Sequence, residues 1–359
     1  MISIVVGTRP EIIKMAPIIL ELQRRSMDFR IVHTGQHYDL ELSEVFFEEL
    51  GLPRADDFLE VGSGTQAYQT AMSLMKLEEV FIEEKPHLVL VEGDTNTVLA
   101  GALAGAKLGI DVGHVEAGLR SHDLRMPEEH NRRLTDHLSK LLFAPTEWSA
   151  TNLRKEGVWG EVFVTGNTVI DACLRYVPLA LKKSRIMDEV EFEEFALVTA
   201  HRAENVDDPL GLKNLVQIFV KCPVPVVYPL HPRTTKRLKE QSLWGELSES
   251  ENVQIIPPVG YFDFLVLMRN CRLILTDSGG IQEEATAPNI RKKVFVLRSS
   301  TERPEAVEAG YAEVVGLDST KVLQSVEALP GKEEEFKEES PYGSGDSGKR
   351  IVDILGSSS

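Results

Sequence analysis

The sequence predicts an α/β protein built from two doubly wound, parallel-sheet domains. Three observations carry this reading. At 359 residues the chain is longer than one core of typical size encloses. Short apolar runs recur along it, each followed by a stretch of helical periodicity, and that alternation builds parallel sheets covered by helices on both faces. The pattern then starts again near residue 196, so the second half repeats the architecture of the first without a strong internal sequence repeat.

The elements follow in order. Residues 2–6 (ISIVV) read as a strand, followed by a helical pattern over 10–25. A second strand is expected at 29–34 and a helix at 40–50, with Phe46, Phe47 and Leu50 available for one face. The run 87–91 is a buried strand, and a helix of small residues follows over 96–108. Residues 112–115 form another strand. A helix at 128–140 comes next, with Pro127 suited to its first turn, and then a short strand at 142–144. The stretch 175–194 is charged and helical in composition, and the domain connection falls around 167–190. The second half has strands at 196–199, 224–228, 253–256, 273–276 and 294–297, with helices between. From about 330 the chain turns polar, and it closes on an apolar segment, 350–355.

Composition narrows the function. Hydrophobic residues at 42% and charged residues at 26% are ordinary for a soluble globular protein. No apolar run approaches the ~18 residues of a membrane span. The opening MISIVVGTRP lacks a basic leader and reads as a strand rather than a signal peptide. Cys173, Cys222 and Cys271 lie far apart, which fits a reducing cytoplasm and argues against a disulfide framework or a structural zinc site. The net charge of −17 repels nucleic acid and anionic lipid. An anionic ligand would therefore need local Arg, Lys and backbone N–H groups. Its expected place is a cleft between the domains, at the C-terminal ends of the strands.

Several stretches at those strand ends carry chemistry. In GTRPEIIK, Gly7 follows the first strand, and Arg9 and Lys14 could direct cations at an anion beside the next helix. In VEGDTNT, Asp94 lies just past a strand end, where a catalytic carboxylate would sit; Asp94 or Asn96 could equally cap the following helix. The stretch GHVEAGLRSHDLRMPEEHNRR gathers Glu116, Arg120, Arg125, Glu128, Glu129 and Arg132. Glu116 again follows a strand, while Glu128 and Glu129 fall in a helical first turn that the macrodipole alone would favour. Carboxylates converging on one crevice are what acid and base catalysis needs. His201 follows the strand at 196–199 and has Arg202 beside it; His231 and Arg233 read as structural. His33 and His37 are poorly spaced for a helical zinc pair, and HExxH is absent. In TDSGGIQEEA, Ser278 can cap a helix, Gly279 and Gly280 bare the backbone to phosphate, and Glu284 lies one turn on, where a ribose could use it. STERPEA adds Thr301, Glu302 and Arg303. Together these features point to a nucleoside diphosphate. Neither GxGxxG nor GxxxxGK[ST] occurs, which disfavours a bound dinucleotide or ATP.

Nine ordered blocks resemble the non-hydrolysing UDP-N-acetylglucosamine 2-epimerases: GTRPEIIK, TGQHYD, GDTNTVLAGALA, GHVEAGLRS, MPEEHNRRLTDH, TGNTVIDA, TAHRAEN, TDSGGIQEEA and TERPEAVEAG. The resemblance implies a GT-B fold of two Rossmann-like domains, 1–168 and 169–344, with a C-terminal helix at about 345–356 packing back on the first. It implies UDP held mainly by the second domain, a homodimer, and neither cofactor nor metal. It makes Asp94, Glu116, Glu128 and His201 the catalytic positions. Arg9, Lys14, Arg202, Ser278, Gly279, Gly280, Glu284 and Arg303 become the positions around UDP and the sugar. The activity implied is reversible C2 epimerisation of UDP-N-acetylglucosamine to UDP-N-acetylmannosamine through a 2-acetamidoglucal. The alternatives are a 2-epimerase of a UDP-diacetamido-uronic acid, a hydrolysing epimerase, a GT-B glycosyltransferase and a nucleotide-sugar binding module. Two departures stand out. The turn after SGGIQEEA reads TAPNIRKKV instead of the family's Pro-Ser-Leu-Gly-Lys-Pro-like sequence. Gln36 and His37 match only part of the second-substrate site of many bacterial members, and no activation is inferred from them.

Overall fold

The computed structural model of the chain describes residues 1–35, 40–329, 336 and 339–357. Gln36 and His37 lie outside them. There are two compact units, Met1–Ala172 with Tyr342–Ser359, and Cys173–Pro341. None of the described helices is long and apolar enough to cross a membrane.

The first unit holds seven strands: β1 (Ile2–Val6), β2 (Phe29–His33), β3 (Asp57–Phe58), β4 (Leu88–Glu92), β5 (Asp111–Val115), β6 (Leu141–Ala144) and β7 (Glu161–Val164). They pair in parallel in the order β3-β2-β1-β4-β5-β6-β7. The second holds β8 (Ala196–Thr199), β9 (Val226–Pro229), β10 (Val253–Ile256), β11 (Leu273–Thr276), β12 (Lys293–Val296) and β13 (Ala312–Val314). Their order is β10-β9-β8-β11-β12-β13, again parallel throughout. Each sheet winds outward from its first strand, then jumps back across it. The reversals lie between β1 and β4 and between β8 and β11, where open parallel sheets bind ligands. Sheets of this kind are covered on both faces, which is why ISIVV, LVLVE and LILT are buried at every residue.

Local chemistry shapes the first reversal. Gly7 ends β1 so close to the helix Asn96–Lys107 that a Cβ there would fall 2.3 Å from the Thr97 hydroxyl. Thr8 then occupies the cap position of the helix Arg9–Arg24 without a side-chain capping bond, and the helix has Pro10 in its first turn and Glu11 three residues beyond the cap. The T-x-x-E spacing is that of a capping box. Here Glu11 reaches one residue further back: it accepts the Gly7 N–H at 2.6 Å and the Thr8 hydroxyl at 3.0 Å. Burial raises its carboxyl from an ordinary 4.5 to about 7. The helix Asn96–Lys107 lies close to the sheet because Ala100, Gly101, Ala104 and Gly105 are buried along it.

The far end of the chain returns to this unit. The helix Ser347–Ser357 packs on the helix Arg9–Arg24 and buries Ile351, Val352 and Leu355. Its first turn donates the Ser347 and Gly348 N–H groups to Asp171 at 3.3 and 2.9 Å. The Tyr342 carbonyl accepts the Asn167 N–H at 2.8 Å.

Differences from expectation have physical causes. The stretch 175–194 is not one helix: Thr168–Lys183 ends, a short 3₁₀ turn Ile186–Asp188 follows, and β8 begins only at Ala196. The backbone is instead held by Gln254, which accepts the Glu191 N–H at 3.0 Å and donates to the Glu189 carbonyl at 2.6 Å. β4 extends to Glu92 because that residue still pairs with Val115. The helix Gln66–Glu84 escapes the apolar pattern: its buried positions are Gln69, Ser73, Leu77 and Phe81, half of them polar.

Two outcomes are expected. Ile351→Ala, which opens a cavity between the terminal helix and the helix Arg9–Arg24, should cost about 2–5 kcal/mol in urea denaturation. A loss under ~1 kcal/mol would mean that this helix contributes little. For Glu11, the folded carboxyl binds its proton more tightly than the unfolded one, so stability falls as pH rises from about 4.5 to about 7. The fall attributable to this group is about 3 kcal/mol, and Glu11→Gln should flatten that part of the stability profile. An unchanged slope would reject the assignment.

Candidate active site

In the first unit, the sequence-predicted residues gather at the tips of β1, β4 and β5. Arg9 is half-buried, with its guanidinium 5.3 Å from the centre of the Phe46 ring. Lys14, expected as a cation that could face an anionic ligand, lies among carboxyl groups of the protein. It is buried, its ammonium bonds Glu116 Oε2, and it lies 3.4 Å from Glu92 Oε1. Glu116 follows β5 with φ 68°, a left-handed conformation that costs a residue with a side chain about 1–3 kcal/mol. The Lys14 bond and the Asn167 side-chain amide, donating at 2.8 Å, hold it there. Asn167 belongs to the TGNTVIDA block, whose apolar neighbours hid its role.

Asp94 does not cap the helix that follows, and neither does Asn96; the Thr95 hydroxyl does, accepting the Val98 N–H. The Asp94 carboxylate instead accepts from Arg132 Nη2 at 2.5 Å, and its carbonyl accepts from Asn131 at 2.9 Å. Beneath it, His114 stands between Asp136, 2.7 Å from Nδ1, and the Gly93 carbonyl, 2.8 Å from Nε2. The carbonyl can only accept, so Nε2 donates and the Gly93 turn is pinned from below. Asp136 also pairs with buried Arg120 at 2.7 Å, and Arg120 pairs with Glu156, so this arginine is structural.

The two adjacent glutamates divide. Glu129 is fully buried and accepts from the Ser121 N–H and hydroxyl, Arg132 and Arg133, all within 3.0 Å. Burial alone would raise its carboxyl, but the Ser121 N–H and the two arginines outweigh it and hold the group below its usual range. Glu128 is half-buried and, among the described residues, has neither a hydrogen bond nor an ion pair.

In the second unit, Asp277 organises the loops after β8 and β11. Sequence reasoning passed over it in favour of Ser278, although a buried acid ending an apolar strand was its signal. It is fully buried and accepts the N–H groups of His201 at 3.1 Å and Arg202 at 3.0 Å, and the Asn205 amide at 3.0 Å. The His201 ring is exposed, its Nδ1 3.6 Å from Asp277. Ser278 stands at the cap of the helix Gly279–Glu284, but its hydroxyl makes no capping bond. Gly279 packs against an acid: a Cβ there would fall 2.7 Å from Glu302 Oε1, and the Glu302 side chain would have to shift. At Gly280 a Cβ would meet nothing within 4 Å, so this is where the backbone stays approachable. Glu302 faces Arg202 at 3.6 Å and accepts from Arg298 at 2.8 Å. Arg303 is buried and commits its Nε to Glu283 at 2.5 Å. Glu284 is buried in the last turn of the same helix, near Cys173 and Tyr261. In the divergent turn beyond, Arg291 takes the left-handed φ of 50°, and the helix Gly279–Glu284 is unaffected.

Two further histidines are structural. His231 caps the helix Pro232–Glu240 by accepting the Arg233 N–H at 3.2 Å. His33 stacks on Phe58, and burial lowers it to about 4.

Residues 20–356 match the family model described as UDP-N-acetylglucosamine 2-epimerase. A UDP-N-acetylglucosamine 2-epimerase of Methanocaldococcus jannaschii is 48% identical over 363 residues, covering 99% of this chain and 98% of that protein. The crystal structure of the Methanocaldococcus jannaschii UDP-GlcNAc 2-epimerase in complex with UDP-GlcNAc and UDP aligns with a TM-score of 0.91 at 47% identity, over 99% of both chains. A UDP-2,3-diacetamido-2,3-dideoxy-D-glucuronate 2-epimerase of Pseudomonas aeruginosa is 39% identical over 98% of both chains. The two Rossmann-like units are thus those of a GT-B fold, and the chain belongs to the UDP-N-acetylglucosamine 2-epimerase family of isomerases.

Proposed function

We propose that the protein interconverts UDP-N-acetylglucosamine and UDP-N-acetylmannosamine by inverting C2 of the sugar. The observation that carries the reading is the set of three carboxyl groups at the ligand-binding edge of the first sheet: Asp94, Glu116 and Glu128. Similarity over the whole chain to an epimerase crystallised with UDP-GlcNAc supports the choice of substrate.

The mechanism follows from the substrate. C2 has no adjacent carbonyl, so its proton is not acidic and direct exchange is closed. Elimination opens a route. A carboxylate takes the C2 proton, the C–H electron pair becomes the C1=C2 bond, and the C1–O bond breaks with its pair leaving on UDP. The product is 2-acetamidoglucal. A proton then returns to the opposite face of C2, and the UDP oxygen re-forms the bond to C1. Inversion needs a base on one face and an acid on the other, so two of the three carboxyls must act. Asp94, paired with Arg132, and Glu116, paired with Lys14, are both held in place for this. UDP must stay bound while it is detached. In the second unit, Arg202 and the approachable backbone at Gly280 would hold its phosphates, Glu284 its ribose hydroxyls, and His201 would stabilise the departing diphosphate. Excluding water protects the glucal and the leaving group.

Proton NMR of the protein with UDP-N-acetylglucosamine in D₂O tests this directly. The expected product is UDP-N-acetylmannosamine carrying deuterium at C2. Free N-acetylmannosamine with UDP would mean hydrolysis instead, and an inert C2 would redirect the search to a uronic acid substrate like that of the Pseudomonas relative.

Asp94→Asn and Glu116→Gln should each lower kcat by roughly 10²–10⁴, with UDP affinity by calorimetry within a few-fold of wild type. Near-normal kcat in both variants would remove these residues from the chemistry.

A further inference from the structure

Behind the three carboxyls lies a fourth that the scheme above does not use. Glu92 ends β4, two residues before Asp94, and is 2% exposed. Its Oε1 accepts no hydrogen bond among the described residues, although it lies 3.4 Å from the Lys14 ammonium. That ammonium is bonded to Glu116. One buried cation therefore faces two buried acids.

The cation acting on Glu92 is Lys14, and the other charged groups acting on it, Glu116, Glu11 and Asp94, are acids. From the helix Arg9–Arg24 come Lys14 and Glu11, and Glu11 is engaged with Gly7 and Thr8. From the turn after β4 comes Asp94, matched by Arg132. From β5 and its end come Glu116 and His114, and His114 is occupied by Asp136 and Gly93. Two ionised carboxylates on one ammonium would leave a net buried charge, which proteins avoid by neutralising a group. The proton belongs on the acid with fewer bonds to lose. Glu116 Oε2 accepts from both Lys14 and Asn167, whereas Glu92 Oε1 accepts from neither. Burial, reinforced by the neighbouring acids, raises the Glu92 carboxyl well above its usual range.

We propose that Glu92 is a proton-bearing positioning residue, whose neutrality removes its competition for Lys14 and keeps Glu116 ionised for proton transfer. The catalytic part rests on the function proposed above. Its consequence has a definite sign. Below the Glu92 pKa, the Lys14–Glu116 bond is uncontested by Glu92. As pH rises through it, Glu92 ionises and competes for Lys14, and turnover falls.

Two readouts separate this from a merely structural role. The infrared difference spectrum of wild type minus E92Q at neutral pH, in which the Glu11 carboxyl cancels, should contain a protonated-carboxyl C=O stretch. The alkaline limb of kcat for UDP-N-acetylglucosamine should move to higher pH by about one unit or more in E92Q. Glu92→Met, which also cannot titrate, should behave alike if E92Q folds poorly. A carboxyl band unaltered by E92Q, or superimposable alkaline limbs in a folded variant, would overturn the proposal. If wild type does not turn over this sugar nucleotide, the proposed function fails and the infrared band alone decides where the proton resides.

Discussion

The first unit depends on one buried cation. Lys14 sits two turns into a helix whose start is fixed by Gly7, Thr8 and Glu11, and its ammonium ends among acids from two neighbouring strands. Without it, Glu116 would keep its left-handed backbone and its burial but lose the charge that compensates them. A buried ion pair is weak evidence for stability, since desolvation offsets much of the attraction. This one makes sense as an investment in geometry, because a carboxylate that must accept and return a proton has to be held in one place.

The same division of labour runs through both units. Each has acids that are saturated with donors and acids that are not. Glu129, Asp136 and Asp277 are fully buried, and each binds several N–H groups or arginines, so they shape loops. Asp94 and Glu128 keep exposed surface. Such partition lets a strongly acidic chain place carboxylates at a strand edge without mutual repulsion, because most of them are already spoken for by cations from the adjacent helix.

This partition also marks what the sequence could tell. Strands that are buried on both faces announce themselves, as LVLVE and LILT do, and so does a carboxylate just past a strand end. The long helix Gln66–Glu84 was hidden because its buried stripe is half polar. Glu128 and Glu129 are neighbours in composition and differ only by a rotation of about 100° around the helix; tertiary contact decides that 129 meets Ser121 and 128 does not. Lys14 looked like a free cation because its partner lies 102 residues away. The contact of Gly279 with Glu302 was invisible locally, because Glu302 arrives from another loop. Local pattern names the residue types, and long-range packing assigns them.

The return of the terminal helix to the first unit has a consequence for how the chain is made. The helix Arg9–Arg24 emerges in synthesis well before the surface that covers it, Ile351, Val352 and Leu355, which lies beyond the whole of the second unit in the chain. The second unit, continuous from Cys173 to Pro341, can be completed first. Until then the older half of the molecule carries an uncovered apolar helix face, and its final closure is a contact of very long sequence separation, the slow kind. The unit that begins first is the one that finishes last.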